Sequence, residues 1–327
     1  MKAYFLGWTA QYERRFIAYL AISQPVEVLA PPRLAQRVQR KIQSLNKRLG
    51  GVRVSDGWLG RVVCRLRNAG PADLLVCNEG QVRRNVNPAI VRAFPGRKVL
   101  LVRDLVDAAF LSEVRPLFDA IYSFDQQQCE ALGMRPLNQF FPLGFTETGR
   151  DVARSTVTGH VMKCFFLGRD KGRAAMLEAL AQSLRASDCE PDFYIVRDET
   201  TNMVTPYHVA DVMDYEQNLA HAQQADVLVE INQPGQAGVT LRTLEAAYFG
   251  KKLITNNGAV KSLPLYHPSN VYVLSDDGNA DPQQLRAFLR APLVALPDNV
   301  LYRYSPDFML EQLLADARAA GSNPVAC

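Results

Sequence analysis

Short apolar runs, each closed by polar or charged residues and followed by a helix-like pattern, recur along this chain and constrain its fold more than any other feature. In the first half they are Lys2–Leu6, Val26–Leu29, Asp73–Cys77, Lys98–Val102 and Ala120–Ser123. In the second they are Val161–Leu167, Asp192–Val196, the run that follows Ala225, and Val271–Leu274. Helical patterns cover Tyr12–Ile22, Ala174–Arg185, Tyr215–Gln224, Pro282–Leu289 and Ser305–Ala320, and the pair Pro31-Pro32 sets up another helix start. Strands alternating with helices predict an α/β protein, with mostly parallel sheets covered by helices on both faces. The pattern lapses over Leu143–His160, a polar, Thr- and Gly-rich stretch that reads as a linker. The expectation is two doubly wound domains facing each other across a cleft, over 1–150 and 151–300, with a C-terminal helix and tail over 301–327. In such sheets ligands bind beyond the carboxyl ends of the strands.

A chain of 327 residues with 48% hydrophobic content can fill two cores. Its 37 Lys and Arg against 33 Asp and Glu leave +4, too small an excess to mark the whole protein as a nucleic-acid binder. No apolar run reaches membrane-spanning length, and the N-terminus lacks the long apolar region of a secretory signal, so the expected compartment is the cytoplasm. The six cysteines are scattered, with no C-x-x-C pair and no zinc-like spacing, which predicts neither a structural metal nor a disulfide framework.

Ala225–Asn257 carries the most chemistry: an apolar run ending at Glu230, a Gly- and Gln-rich loop, an amphipathic helix from about Gly238, a Gly-Lys-Lys turn and another apolar run. The first amides of a helix lack partners within it and its dipole favours an anion there. Gly238, Val239 and Thr240 at that start, with Arg242 in the first turn, therefore form a phosphate-binding candidate. Glu245, one turn deeper on the same face, is placed to accept ribose hydroxyls. The bland alternative is an amphipathic helix with Arg and Glu on its wet face. Glu230 is a ligand candidate at a strand's carboxyl end, or simply an acid where the strand meets water. Gly168-Arg169-Asp170-Lys171-Gly172-Arg173 follows a strand with three cations, of which Arg169 and Lys171 are the chosen diphosphate contacts.

The phrases FFLGRDKGR, INQPGQAGVTLRTLEAAYFGKKLITNN and FDAIYSFDQQQCEALGMRPLNQFFP resemble bacterial GT-B glycosyltransferases, in particular the CgeB-like enzymes of capsular and lipopolysaccharide synthesis. The resemblance spans Ala120 to Asn257 and is strongest over Gly235–Asn257. It implies two Rossmann-like domains, a nucleotide sugar in the C-terminal half, and an acceptor in the N-terminal half that is a saccharide or lipid-linked saccharide. Many retaining members carry one acid before this helix and one within it; Glu245 matches the second, and Ala237 stands where the first would be. No Asp-x-Asp metal pair is present, and fixed cations can meet the leaving phosphate, so the expected enzyme is metal-independent.

On the acceptor side, Asp104 and then Glu79 are the candidate bases for the acceptor hydroxyl, since each follows an apolar run. Acids in that position also cap helices, which is their bland reading. Trp8 stacks on a sugar or packs in the core. His160, His208, His221 and His267 have no partner spacing and read as ordinary histidines. Arg33–Arg48 carries six cations and no acid opposite an apolar stripe, which suits either a domain helix with a solvated basic face or peripheral contact with the inner membrane face. Two rival functions remain: a non-catalytic sugar-nucleotide-binding or assembly protein, and a dinucleotide-dependent oxidoreductase. The second needs G-x-G-x-x-G after the first strand, where this chain has Gly7-Trp8-Thr9-Ala10-Gln11-Tyr12.

Overall fold

A computed structural model of the chain describes residues 1–49, 54–146, 161–233, 236, 238–275 and 277–321. The chain divides into two compact units, Met1–Gly144 with Pro306–Cys327, and Phe145–Ser305. Most of the stretch read as a linker, 147–160, lies outside the described residues, as do His160, Gly235, Ala237 and Cys327.

The first unit runs β1 (Ala3–Leu6), α1 (Gln11–Ser23), β2 (Val26–Val28), α2 (Arg33–Arg48), α3 (Gly57–Leu66), β3 (Leu74–Asn78), α4 (Asn87–Ala93), β4 (Arg97–Val102), α5 (Ala108–Val114), β5 (Ala120–Ser123), α6 (Gln126–Leu132) and β6 (Arg135–Pro136). Its sheet has the order β2-β1-β3-β4-β5-β6, with every neighbour pair parallel. Successive side chains of a strand point to opposite faces, and both faces are apolar here. Tyr4, Leu6, Leu75, Cys77, Leu100 and Val102 join the helices of one layer. Ala3, Phe5, Leu74, Val76, Val99 and Leu101 join those of the other. This two-sided burial explains why the strands read as continuous apolar runs.

The second unit runs β7 (Met162–Arg169), α7 (Ala174–Arg185), β8 (Cys189–Val196), β9 (His208–Val209), α8 (Tyr215–Gln224), β10 (Val227–Glu230), α9 (Leu241–Tyr248), β11 (Lys252–Thr255), β12 (Val271–Val273), α10 (Pro282–Arg290) and α11 (Asp298–Tyr302). Its sheet order is β12-β11-β10-β7-β8-β9, again parallel throughout.

The last helix, α12 (Pro306–Gly321), is part of the first unit: Met309, Leu310, Leu313 and Ala317 complete the layer over Phe5, Val76 and Leu101. The Tyr122 hydroxyl donates to Asp316 Oδ2 at 2.7 Å and pins the helix to β5. The sequence reading had set this helix apart as a terminal piece. No helix among the described residues is long and apolar enough to cross a membrane.

Candidate functional site

Each sheet changes direction once. In the second unit the chain moves outward from β7 through β8 to β9, then returns to lay β10, β11 and β12 on the other side of β7. The loops leaving β7 and β10 therefore diverge at one point of the carboxyl edge, the usual place for a ligand in an open parallel sheet. The loop after β10 is fastened there by paired amides. The Asn232 N–H donates to Asn256 Oδ1 at 2.7 Å, and Asn256 Nδ2 donates to the Asn232 carbonyl at 3.1 Å.

The helix expected from about Gly238 begins at Leu241, with Thr240 as its N-cap accepting from the Arg242 N–H at 3.1 Å. Gly238 and Val239 thus lie in the loop, and the buried Val239 side chain leaves only its backbone for a ligand. Thr240 satisfies one amide of the first turn; the other amides of a helix's first turn have no acceptor within the helix. Glu230 is buried, and its carboxylate is taken up by hydroxyls. Thr240 and Thr243 (2.8 Å) donate to Oε1, and Thr255 donates to Oε2 at 2.6 Å. It ties β10, β11 and the start of α9 together.

Arg242 and Glu245 turn toward each other rather than toward the loop. Arg242 Nη1 meets Glu245 Oε2 at 2.5 Å, Nη2 donates to Asn218 Oδ1 at 2.9 Å, and the guanidinium lies 4.7 Å from the centre of the Phe165 ring. A cation in a first helical turn opposes the helix dipole; here the compensating anion is internal. Burial pushes the Glu245 carboxyl above its ordinary value, against the pull of Arg242 and of the Asn218 amide. The ribose and phosphate roles read from the sequence for this pair therefore meet groups that already have partners.

β7 is longer than its apolar run, so Gly168 and Arg169 are strand residues and the turn is Asp170–Arg173. Arg169 and Lys171 are exposed. Lys171 holds a left-handed φ of 45°, uncommon for a residue with a side chain, and Gly172 follows at 74°. Arg173, quoted in the sequence motif but not singled out, spans the switch point. Its guanidinium donates to the carbonyls of Ile231, Arg169 and Asp170. Gly168 makes room for it, since a Cβ there would lie 3.1 Å from Arg173 Nη2. Burial lowers the Arg173 pKa, and Asp170 and Asp198 oppose that effect. The result is a half-buried cation hydrogen-bonded to three carbonyls and supported by the Asp170 and Asp198 charges, at the edge where the loops diverge.

Below the turn, Asp170 caps α7 through the Arg173 and Ala174 amides, both at 3.1 Å, and meets His208 Nε2 at 3.2 Å. Burial pushes its carboxyl up, but hydrogen bonds from Thr201, His208 and Ala174 outweigh that and hold it below the usual range. The Thr205 N–H donates to His208 Nδ1 at 2.9 Å, which places the ring proton on Nε2. His208 is thus a buried clamp, His221 stacks on Phe165, and His267 accepts the Ser269 amide at 3.2 Å. All three agree with the bland reading.

The first sheet switches between β1 and β3. Gly7 closes β1 at φ 88°, where a Cβ would lie 2.7 Å from Gln81 Cβ. Glu13 is buried and fully engaged. It accepts from the Thr9 and Ala10 amides at 2.7 and 2.8 Å and from Asn78 Nδ2 at 2.8 Å. Trp8 belongs to the core: it is 1% exposed, packs edge-on against Phe5 and Phe16, and donates its indole N–H to the Val76 carbonyl at 3.0 Å. It has no face left for a sugar.

Glu79 follows β3 at this switch point. Burial raises its carboxyl pKa, the Glu79 and Arg103 amides and the Arg103 charge pull it back, and Asp104 raises it further. Its Oε2 is buried with no hydrogen-bond partner among the described residues, and so is Arg103 Nη1. The Arg103 guanidinium sits 4.5 Å from the Phe140 ring centre, 5.5 Å from Tyr12 and 5.9 Å from Trp8, and donates to Gln139 Oε1 at 3.0 Å. Asp104 is exposed one strand further out and accepts the Leu105 amide at 2.8 Å. It does not cap α5; Asp107 does, accepting from Phe110 at 2.7 Å. The structure therefore brings Glu79, Arg103 and Asp104 together. Glu13 and Arg103 were missed in the sequence, where Glu13 at the third helical position and Arg103 beside Asp104 were the available signals. Among the described residues no group of three or more His, Cys, Asp or Glu side chains is gathered as for a metal ion.

No protein-family profile matches the sequence, and no curated protein matches it. Solved structures share its architecture. AviGT4, a glycosyltransferase involved in avilamycin A biosynthesis, is 13% identical, with 99% of this chain and 99% of that one covered at a TM-score of 0.57. An α-glucosyltransferase in complex with UDP and a 13-mer DNA containing a central A:G mismatch is 11% identical over 97% of this chain and 99% of that one, at 0.58. An α-glucosyltransferase in complex with UDP-glucose and DNA containing an abasic site is 12% identical over 97% and 98%, at 0.56. The chain has the GT-B fold, with two six-stranded parallel sheets.

Proposed function

We propose that the chain is a nucleotide-sugar-dependent glycosyltransferase whose second unit holds the donor and whose first unit holds the acceptor. The observation that carries this reading is the second sheet's switch point, where a half-buried Arg173 and the first turn of α9 converge on one spot beside Arg169 and Lys171. A diphosphate there would meet fixed cations and amide dipoles that stabilise the charge growing on it as its bond to the sugar breaks. Fixed cations make a metal unnecessary in this scheme, so transfer is expected to survive EDTA.

In the first unit Glu79 takes the acceptor proton as the hydroxyl oxygen bonds to the sugar's anomeric carbon and the nucleoside diphosphate departs. Its raised pKa and unpartnered oxygen favour it over Asp104 as the base. The reading extends to cell-surface saccharides, lipid-linked ones included, as acceptors; the resemblance to CgeB-like enzymes supports that extension. UDP-sugars are the first donors to try, because UDP and UDP-glucose accompany structures of the same fold. A non-catalytic donor-binding protein is the second reading, favoured by Ala237 at the position of the missing acid.

The test is a thermal-shift panel of UDP-, GDP-, dTDP- and CMP-sugars. A ligand at a hundred times its Kd stabilises by about 2.7 kcal/mol. One family of donors should raise Tm and be turned over with a suitable acceptor. Binding without turnover or hydrolysis under any condition selects the second reading, and a panel with no shift rejects both.

A further inference from the structure

The surface of α2 and α3 is built unlike the rest of the first unit. The six cations of α2 are exposed, and they make no ion pair with any described residue, nor do Arg61 and Arg65 on α3. The acid at this junction, Asp56, is already engaged by Gln39 at 2.8 Å and by Arg92 at 3.2 Å. Beside the cationic face stand large apolar side chains turned to water. On α2 these are Leu34 at 70% exposure and Leu45 at 45%, with its C-cap Leu49 at 47%. On α3, Trp58, Val62 and Leu66 follow at helical spacing on one face, at 44%, 43% and 67%. Asn46 ties α2 to the segment that leads into α3, donating to the Val54 carbonyl at 3.0 Å and accepting its amide at 2.8 Å. Val38 and Ile42 lie on the same apolar stripe and pack against the core, so the stripe is covered there and bare at Leu34, Leu45 and Leu49.

We infer that this face docks on an anionic lipid bilayer, with Trp58, Leu49 and their neighbours at the acyl boundary and the arginines and lysines at the headgroup phosphates. Unpaired cations complement anionic lipid, and the apolar side chains along their edge gain by leaving water only if the partner has an apolar layer to receive them. Nucleic acid would match the charge but leave the leucines and the indole wet. The inference stands apart from the transfer chemistry, since it uses none of the residues at the carboxyl edges.

The chain has two tryptophans, and Trp8 is 1% exposed while Trp58 is 44% exposed, so a change in tryptophan emission reports this surface against a constant background. The full chain would be mixed with vesicles of phosphatidylcholine alone and with vesicles containing phosphatidylglycerol. The expected result is co-sedimentation and a blue shift of emission with the anionic vesicles only. Trp58→Phe should abolish the shift while sedimentation persists. Each basic residue at such a surface contributes roughly fivefold to partitioning, so Arg37→Glu with Lys41→Glu should weaken it by more than tenfold. Tm and donor affinity measured without vesicles should not change in these variants, which separates failure here from failure of the catalytic reading. Absence of sedimentation with anionic vesicles overturns the inference. So does sedimentation with no blue shift that duplex DNA abolishes by competition, which would mark a polyanion surface instead.

Discussion

The two sheets place a glutamate at the carboxyl end of a strand beside the switch point, and they use it in opposite ways. Glu230 in the second unit is saturated by three threonine hydroxyls, while Glu79 in the first keeps a buried oxygen without a partner among the described residues. The first unit does have a saturated acid, but it is Glu13, which braces the loop after β1, while Glu79 is only partly supplied with donors. The cations divide differently: Arg173 is held by carbonyl dipoles, and Arg103 sits among aromatic rings. The lesson is that position on the sheet does not settle whether an acid is structural or reactive. The count of its donors does, because a buried carboxylate supplied with enough hydrogen bonds is stable and an undersupplied one is strained toward taking a proton.

Glu79→Gln is the substitution expected to separate the two regions most widely. As the loss of a general base it should lower turnover by roughly 10²–10⁴-fold while donor affinity stays unchanged. It should also raise Tm at neutral pH. A carboxyl whose folded pKa is raised stabilises the fold only when protonated, so its contribution is present below its ordinary pKa and lost as pH rises through the raised value. The Tm advantage of the variant should therefore be absent in acid and grow toward neutral pH. A larger turnover loss for Asp104→Asn would move the base one strand outward. Arg173→Met should weaken donor binding by about 10–100-fold, the range of a charge-assisted contact, with little effect on acceptor KM. Thr255→Val removes a donor from Glu230 Oε2 and should cost about 1–3 kcal/mol in denaturant unfolding; an unchanged midpoint would mean that Glu230 is not a brace. Tyr122→Phe breaks the tie to Asp316, along with the hydroxyl's contact to Arg135, and should cost about 0.5–1.5 kcal/mol, seen as faster hydrogen exchange in α12.

Strand and helix positions were legible because both faces of each sheet are buried, which writes the strands as apolar runs: Ala120–Ser123, Ala174–Arg185 and Tyr215–Gln224 fall where the pattern puts them. Short helices such as Asn87–Ala93 and Gln126–Leu132 were not, since seven residues give too few turns for a period to emerge. The site was legible in its location and not in its wiring. That Glu230 is consumed by Thr243 and Thr255, and Arg242 by Asn218, depends on residues 13 to 25 positions apart meeting across the fold. Nothing local announces such pairings. The start of α9 was misplaced by three residues for a related reason: Gly238 looks like a helix entry, but the threonine two positions on carries the hydroxyl that caps.

Calorimetric titration of a nucleoside diphosphate sugar into three proteins, the parent chain, Glu79→Gln and Arg173→Met, probes the assignment of donor to the second unit without needing the acceptor. Binding should be equal in the first two and weaker by at least about tenfold in the third. Equal affinity in all three, or a loss in Glu79→Gln alone, would place the diphosphate somewhere other than the edge where β7 and β10 part.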